Sequence, residues 1–169
     1  MSEKWKNSKV IFKGNVFSVK SGTVSLDNNA ETTRDIIEHP GGVVVLPILD
    51  GKIILIRQFR ISLNKEIYEL PGGRLQRYDS IEDRAHSELK EETGYKANSL
   101  TNLISYYPVP GITNLKIHIF KATNLEFCGS DLEWDERIDV VSLSRDDVNK
   151  MLSRGTIVDG STLIALNLY

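Results

Sequence analysis

Two β-branched runs joined by an Asp-Gly turn constrain the fold of this chain more than any other feature. Residues 43–49 and 53–56 are almost wholly apolar, and Asp50, Gly51 and Lys52 separate them. Val and Ile favour extended backbone because their branched side chains pack well on a pleated surface. Asp-Gly readily adopts the positive φ angles that a tight hairpin turn needs. The pattern therefore predicts a β-hairpin over residues 43–56.

Further segments have the composition of strands. Residues 10–26 alternate well enough to predict a short strand pair, and the polar cluster at 27–30 predicts a turn and a soft boundary after it. Three later apolar runs bring more strands to the same sheet. These runs lie at residues 103–107, 117–122 and 138–143.

The helix signals are fewer and clearer. Ser80 and Asp83 resemble a capping box, and Gly94 is suited to a left-handed C-terminal cap, which predicts a helix over residues 80–93. The same reasoning predicts two more helices, at residues 144–155 and 161–169. A mixed sheet with a few helices indicates an α/β or α+β sandwich.

Composition narrows the class of function. The chain has 169 residues and a formal charge of −2 from 21 basic and 23 acidic residues, which leaves no basic surplus for nucleic acid. No apolar run approaches the roughly 20 residues needed to span a bilayer, and the polar start lacks a signal-peptide core. A single cysteine, Cys128, cannot form an internal disulfide. We expect one well-buried core and a cytoplasmic location, with no nucleic-acid or membrane partner.

Three glutamates are the main candidates for chemistry. On the predicted helix, Glu88 lies three residues before Glu91 and four before Glu92, so the three carboxylates share a face. Like charges at that spacing repel by roughly a few tenths of a kcal/mol per pair. Such carboxylates are oxygen ligands for a hard divalent cation. Taken alone, the three glutamates are also consistent with a solvated acidic face.

The residues around the glutamates decide between these readings. Gly73, fourteen further residues, and then Glu-Leu-x-Glu-Glu-x-Gly from Glu88 to Gly94 resemble the box of the Nudix family. Two positions depart from that box. Asp79 replaces a glutamate, and Ser87 replaces an arginine that orients the glutamates in the family. Arg84, four residues before Glu88, is our candidate to replace it.

The resemblance covers nearly the whole chain and indicates the ADP-ribose pyrophosphatase-like branch. The supporting segments are residues 39–47, 57–60, 69–73, 107–111, 135–140 and 155–159. The branch implies a Nudix-type α/β/α sandwich with a mixed sheet, preceded by a small N-terminal β segment. One departure concerns the proline loop, which continues to Asn114-Leu115 where the branch usually has a glutamate.

The resemblance also implies roles for individual residues. The expected ligands of Mg²⁺, with Mn²⁺ as a second candidate ion, are Glu88, Glu92, Glu91 and the Gly72 carbonyl. The catalytic candidates are Glu136, then Glu133, and also Glu91. The candidate substrate contacts are Arg60, Arg34, Pro110 and Gly111. The plainer interpretation of the two loop acids is a solvated surface, and of Arg60 a strand-end surface arginine.

Residues 1–39 have no obvious place in a lone Nudix core. In this branch the corresponding region often packs against a second subunit, so we expect residues 1–39 to dimerise and residues 40–169 to form the hydrolase domain of a homodimer. The main functional hypothesis is hydrolysis of ADP-ribose to AMP and ribose 5-phosphate. Two others stay open: hydrolysis of another nucleoside diphosphate such as GDP-mannose, and a nucleotide-binding module with weak turnover.

Overall fold

The computed structural model describes residues 1–76, 80–132, 134 and 136–169. The strands are β1 (Glu3–Lys13), β2 (Ser18–Leu26), β3 (Glu31–Glu38), β4 (Gly42–Leu49), β5 (Lys52–Arg60), β6 (Lys65–Glu69), β7 (Gly72–Arg74), β8 (Tyr95–Tyr106), β9 (Ile117–Phe127) and β10 (Ile138–Leu143). The helices are α1 (Ile81–Thr93), α2 (Arg145–Ser153) and α3 (Gly160–Leu168). None of the helices in these ranges is long and apolar enough to cross a lipid bilayer.

The chain divides into two compact units. The first contains Met1–Gly41 and Tyr107–Lys116, and the second contains Gly42–Tyr106 and Ile117–Tyr169. The expected N-terminal β segment thus supplies the sheet of the first unit, and the proline loop belongs to the same unit. The second unit carries the predicted hairpin, the glutamate helix and all later strands.

The first unit is a three-stranded antiparallel sheet in the order β1-β2-β3. The strand pair expected over residues 10–26 is confirmed, since β1 and β2 pair there; in addition β1 begins earlier, at Glu3, and β3 adds a third strand. Polar residues dominate both additions, and pairing with β2 decides their conformation more than their own propensity does. The proline loop meets β3 where the Ile37 N–H donates to the Ile112 carbonyl at 2.8 Å.

The second unit contains a seven-stranded mixed sheet. Its main path runs β10-β5-β4-β9-β8, with β6 paired to β5 and β7 paired to β4. Strands β4 and β9 are parallel, and the remaining pairs are antiparallel. The Asp-Gly hairpin is confirmed: Leu49 pairs with Lys52, and φ is 50° at Asp50 and 75° at Gly51.

Helices cover both faces of this sheet. On one face, Ala85 and Leu89 of α1 pack against Val43 and Val45 of β4. On the other, apolar residues of α2, α3 and the preceding loop form a second cluster with Leu46, Leu55 and Ile119. Successive β4 residues point to opposite faces because side chains alternate along a strand. The expected α/β/α sandwich is therefore confirmed.

The helix boundaries follow their caps. Ser80 is the N-cap of α1, where its Oγ accepts from the Asp83 N–H at 3.0 Å, and Gly94 ends the helix at φ 79°. Ser144 caps α2 in the same way, and Asp159 caps α3. Oxygen side chains satisfy backbone N–H groups that have no partner inside the helix. The three predicted helices are confirmed to within a few residues at their ends.

Candidate metal and diphosphate site

Helix α1 presents two carboxylates to the interior. Glu88 and Glu92 are each only 4% exposed, and they share the inward side of the helix with Ala85 and Leu89. Glu91 lies further out, with its side chain 32% exposed. A carboxylate removed from water must be compensated by hydrogen bonds, a cation or a proton. The inward face of α1 therefore does more than pack.

Glu92 is bound to the loop between β6 and β7. This loop, with the start of β7, is called here the Gly-Gly corner and consists of Leu70, Pro71, Gly72 and Gly73. The Gly72 N–H donates to Glu92 Oε2 at 2.7 Å. Burial raises the pKa of Glu92 to about 8, and the charges of Glu88 and Glu136 add to the effect. Without a cation, burial therefore favours the protonated form of the Glu92 carboxyl.

Glu88 occupies the space next to Gly73. A Cβ atom at Gly73 would lie 1.7 Å from Glu88 Oε1, so only glycine allows this approach. Burial raises the pKa of Glu88 to about 7, while the neighbouring Arg84 opposes the shift. The position of the Glu88 carboxylate therefore depends on the absence of a side chain at Gly73.

Arg84 contacts both the inward Glu88 and the more exposed Glu91. Its Nη2 lies 2.5 Å from Glu88 Oε1 and its Nη1 lies 3.5 Å from Glu91 Oε2. Its Nε donates to the Arg74 carbonyl at 3.3 Å, and the side chain is only 15% exposed. A guanidinium in contact with two carboxylates fixes both their positions and their charge. This geometry supports the hypothesis that Arg84 does the work of the box arginine that Ser87 replaces.

Glu136 belongs to the same electrostatic environment. Its charge raises the pKa values of both Glu88 and Glu92, and its side chain is partly buried in the loop before β10. Glu133, the second candidate, lies outside the described residues, as does Asp79 of the box. Among the described residues, the structure thus brings the charges of Glu88, Glu91, Glu92 and Glu136 into one electrostatic environment.

Arg60 lies at the end of β5 and binds a residue that the sequence reasoning missed. Its Nε donates to Glu69 Oε2 at 2.8 Å, and Glu69 is 8% exposed. Burial raises the pKa of Glu69, and the contact with Arg60 opposes that rise. Glu69 lies on the same strand face as buried Ile67, two residues earlier. An acidic residue at an inward strand position is the sequence feature that could have identified Glu69 as a candidate. Arg60 also lies within electrostatic reach of Glu92.

The remaining predicted substrate contacts belong to the first unit. Arg34 forms a fork with Glu3, donating from Nε at 3.0 Å and from Nη2 at 2.6 Å. Pro110 and Gly111 line a cavity of about 320 Å³ whose other walls include Ile36, Tyr107, Ile112, Thr113 and Asn114. Asn114 accepts the His39 N–H at 2.8 Å, so the residue that departs from the expected glutamate has a local role.

The donor set fits one or more divalent cations with few protein ligands. Within residues 1–76, 80–132, 134 and 136–169, no cluster of three or more His, Cys, Asp or Glu side chains is drawn tightly enough to enclose an ion. Among the ion pairs of the described residues, the two buried carboxylates Glu88 and Glu92 have one guanidinium contact, that of Arg84 with Glu88. Mg²⁺ binds one or two protein carboxylates and keeps water or phosphate as its other ligands. The pair therefore suits an ion that is completed by a phosphate substrate.

Comparison with known proteins agrees with this geometry. The family model described as the NUDIX domain matches residues 38–151, which include α1, the Gly-Gly corner and all of the seven-stranded sheet. The chain belongs to the Nudix family. The two halves of the Nudix box are therefore the Gly-Gly corner and helix α1, and members of this family use divalent metal ions.

Individual relatives narrow the branch. An ADP-ribose pyrophosphatase of Bacillus subtilis is 35% identical over 98% of this chain and 91% of its own length. A methanol dehydrogenase activator of Bacillus methanolicus is 34% identical over 97% of this chain and 90% of its own. GDP-mannose pyrophosphatases are also among the relatives. These matches confirm the expectation of a Nudix pyrophosphohydrolase similar to ADP-ribose pyrophosphatases.

A solved structure supports the fold. The crystal structure of an ADP compounds hydrolase superposes with a TM-score of 0.88 at 22% identity, covering 99% of this chain and 92% of the other. At that identity the match concerns the path of the backbone alone. It confirms the Nudix fold that the box and the hairpin predicted.

Proposed function

We propose that this protein hydrolyses the diphosphate bond of a nucleoside diphosphate sugar with Mg²⁺, and that ADP-ribose is its substrate, giving AMP and ribose 5-phosphate. The observation that carries the proposal is the buried pair Glu88 and Glu92 against the Gly-Gly corner. The relatives named ADP-ribose pyrophosphatase support the choice of substrate.

The residues divide the work as follows. Glu88, Glu92, Glu91 and the Gly72 carbonyl would hold the ion, which would supply positive charge to the diphosphate and to the attacking water. Glu136 orients the attacking water and takes its proton. The water oxygen forms a bond to one phosphorus, and the bond from that phosphorus to the bridging oxygen breaks. Arg60 binds the diphosphate, and Arg84 keeps Glu88 and Glu91 in place for it.

The other candidate substrate contacts, Pro110, Gly111 and Arg34, lie in the first unit. The cavity beside Pro110 and Gly111 has an apolar lining that includes the Tyr107 ring. Such a wall suits the flat face of a nucleobase. Arg34 is the proposed cation on this unit, and it would exchange its fork with Glu3 for a phosphate or sugar contact.

A second substrate is supported by one departure. Asn114 stands where the branch usually has a glutamate, so base or sugar preference can differ, and GDP-mannose is the second candidate because pyrophosphatases for it are among the relatives. The third hypothesis, a binding module with weak turnover, is motivated by Ser87. The contacts of Arg84 with Glu88 and Glu91 count against it.

A substrate panel tests the proposal. The purified chain is incubated with ADP-ribose, GDP-mannose, other nucleoside diphosphate sugars and dinucleotides in Mg²⁺ or Mn²⁺, and products are separated by ion-exchange chromatography. We expect AMP and ribose 5-phosphate from ADP-ribose at the highest kcat/KM, with no turnover in EDTA. A higher kcat/KM for GDP-mannose would move the assignment to the second candidate, and binding without turnover would move it to the third.

We also propose a cytoplasmic homodimer formed through the N-terminal sheet. Every residue of β1 is exposed, and Val10, Ile11, Phe12 and Phe17 are each 40–55% exposed. An apolar surface of this kind on a folded sheet suits a second copy of the chain. Light scattering should give a dimer at micromolar concentration, and Phe12→Ser with Phe17→Ser should shift it to monomer. A fully active wild-type monomer would remove this part of the proposal.

A further inference from the structure

The segment 155–159 matched the branch in the sequence, yet the proposed mechanism gives it no task. In the structure it leads into α3, whose N-cap is Asp159. Asp159 Oδ2 accepts two hydrogen bonds from Thr162, one from the backbone N–H and one from the Oγ1–H, each at 2.8 Å. Thr162 is fully buried at 0% exposure. The hydroxyl is therefore held in a fixed orientation.

That orientation leaves the hydroxyl oxygen free to accept. The Leu70 N–H donates to Thr162 Oγ1 at 2.9 Å, across a separation of 92 residues. A backbone N–H can only donate, so the proton of the hydroxyl must point to Asp159, as its distance shows. The result is a directed chain of hydrogen bonds from Leu70 through Thr162 to the Asp159 carboxylate, and the charge at its end strengthens it.

Leu70 is the first residue of the Gly-Gly corner, and the corner is attached at three further points. Glu69, immediately before it, binds Arg60. The Pro71 carbonyl accepts the Val45 N–H at 2.9 Å, and the Gly72 N–H binds Glu92. Three consecutive residues of the corner are thus tied to α3, β4 and α1 in turn.

We propose that Thr162, oriented by Asp159, is a positioning residue that holds the Gly-Gly corner in register with Glu88 and Glu92. The reason for holding the corner in this position, to bind metal and diphosphate, rests on the proposed function. Only Thr162 ties Leu70 by a side-chain hydrogen bond among the contacts described for residues 1–76, 80–132, 134 and 136–169. Without the Thr162 hydroxyl, the Leu70 N–H loses its hydrogen-bond partner. A shift of Leu70 would also move the Gly72 N–H, which binds Glu92, and Gly73, which lies against Glu88.

The test compares Thr162→Val, Thr162→Ser and Ser161→Ala. Valine keeps the shape of threonine without a hydroxyl, whereas serine keeps the hydroxyl. Ser161 is the matched control because it lies on the same turn of α3 and its hydroxyl bonds to Tyr106 at 2.9 Å instead of to the corner. Each variant is examined by amide hydrogen exchange, by Mn²⁺ binding followed with electron paramagnetic resonance, and by kcat and KM for ADP-ribose.

In Thr162→Val we expect the rate of amide exchange to increase much more at Leu70 and Gly72 than at Gly94. Gly94 is the reference amide, because its N–H donates to the Lys90 carbonyl at the C-terminal end of α1. Mn²⁺ binding and kcat should each fall roughly 10–100-fold, the usual effect of losing a group that orients a metal ligand, with little change in KM. Thr162→Ser should restore both, and Ser161→Ala should change neither.

Two results would overturn the proposal. One is faster exchange at Leu70 alone with wild-type Mn²⁺ binding and turnover, and the other is a uniform rise at all amides, as expected from loss of stability only. If Thr162→Val does not fold, Thr162→Cys is measured in its place, because its sulfur is only a weak acceptor. If the wild-type chain hydrolyses no nucleoside diphosphate sugar, the substrate proposal fails, and the exchange and Mn²⁺ measurements still decide the role of Thr162.

Discussion

Helices α1 and α2 begin in the same way and bury opposite kinds of side chain. Each starts at a serine whose Oγ accepts the N–H of an aspartate three residues later, at 3.0 Å in α1 and 3.1 Å in α2. Helix α2 buries Val148, whereas its carboxylates, Asp146 and Asp147, are exposed. Helix α1 buries Glu88 and Glu92 beside its apolar residues. The serine N-cap determines where a helix begins. The side chains at its inward positions determine whether the helix only packs against the sheet or can also bind a ligand.

The largest effect should come from removing one inward charge of α1. Glu92→Gln keeps the size of the side chain, and we expect kcat for the best substrate to fall at least about 100-fold because a metal ligand is lost. Asp146→Asn, on the exposed first turn of α2, is the matched control and should leave turnover near normal. Metal-dependent turnover close to wild type in Glu92→Gln would show that the inward carboxylates of α1 serve packing only.

The role of Arg84 separates the two helices further. Arg84→Ala should lower kcat roughly 10–100-fold, since Glu88 and Glu91 lose the group that orients them, while Ser87→Arg should add little. Lys150→Ala on α2 removes an exposed, solvent-screened ion pair with Asp147 and should be silent in turnover. A clear gain of activity in Ser87→Arg with a silent Arg84→Ala would mean that nothing replaces the box arginine.

The metal-free protein should become less stable as the pH rises. The pKa values of Glu88 and Glu92, about 7 and about 8, lie above their ordinary value of 4.5, so the folded chain binds more protons than the unfolded chain between about 4.5 and 8. Stability is therefore present at low pH and lost through this window. Each unit by which the pKa is shifted changes the free energy of unfolding by up to about 1.4 kcal/mol, which corresponds to roughly 3–6 °C in Tm.

Differential scanning calorimetry in EDTA measures this slope. Glu92→Gln should make the slope shallower, because glutamine at position 92 cannot ionise while Glu88 still does, and saturating Mn²⁺ should flatten the slope in the wild type. A Tm that is constant from pH 5 to 8 in EDTA, or a slope that Glu92→Gln leaves unchanged, would contradict the assignment of the buried charges to α1.

The smallest effects concern the shared caps. Ser80→Ala and Ser144→Ala should each lower the free energy of unfolding by about 0.5–2 kcal/mol, because each leaves one backbone N–H without its acceptor. Only Ser80→Ala should also reduce turnover, since it loosens the first turn of the helix that carries Arg84. Chemical denaturation measures the loss of stability in each variant, and steady-state kinetics measures whether kcat falls with it. Equal loss of turnover in both variants would remove the functional distinction between the helices.

Local signals explain what the sequence predicted well. The central hairpin, the three helices and their caps each depend on residues within a few positions of one another, and the glutamate face follows from helical spacing alone. The hypothesis for Arg84 came from the same spacing, and the structure places its guanidinium against Glu88 and Glu91. These features need no knowledge of the rest of the chain.

Long-range contacts explain what was missed. Strand β7 consists of Gly72, Gly73 and Arg74, which have no strand propensity and are extended because β4 pairs with them. Strand β3 and the outer part of β1 depend on β2 in the same way. Glu69 and Thr162 gain their roles from partners on other strands or helices. No pattern within a short window reveals such a partner.

The contact at Gly73 also sets how this protein can change over evolutionary time. With Glu88 Oε1 1.7 Å from where a methyl group would begin, even alanine cannot coexist with the present carboxylate position. An alanine at Gly73 would require the Glu88 carboxylate to move away from the place that the proposed metal site needs. In a saturation library selected for activity, this position should stay fixed as glycine while its surroundings vary.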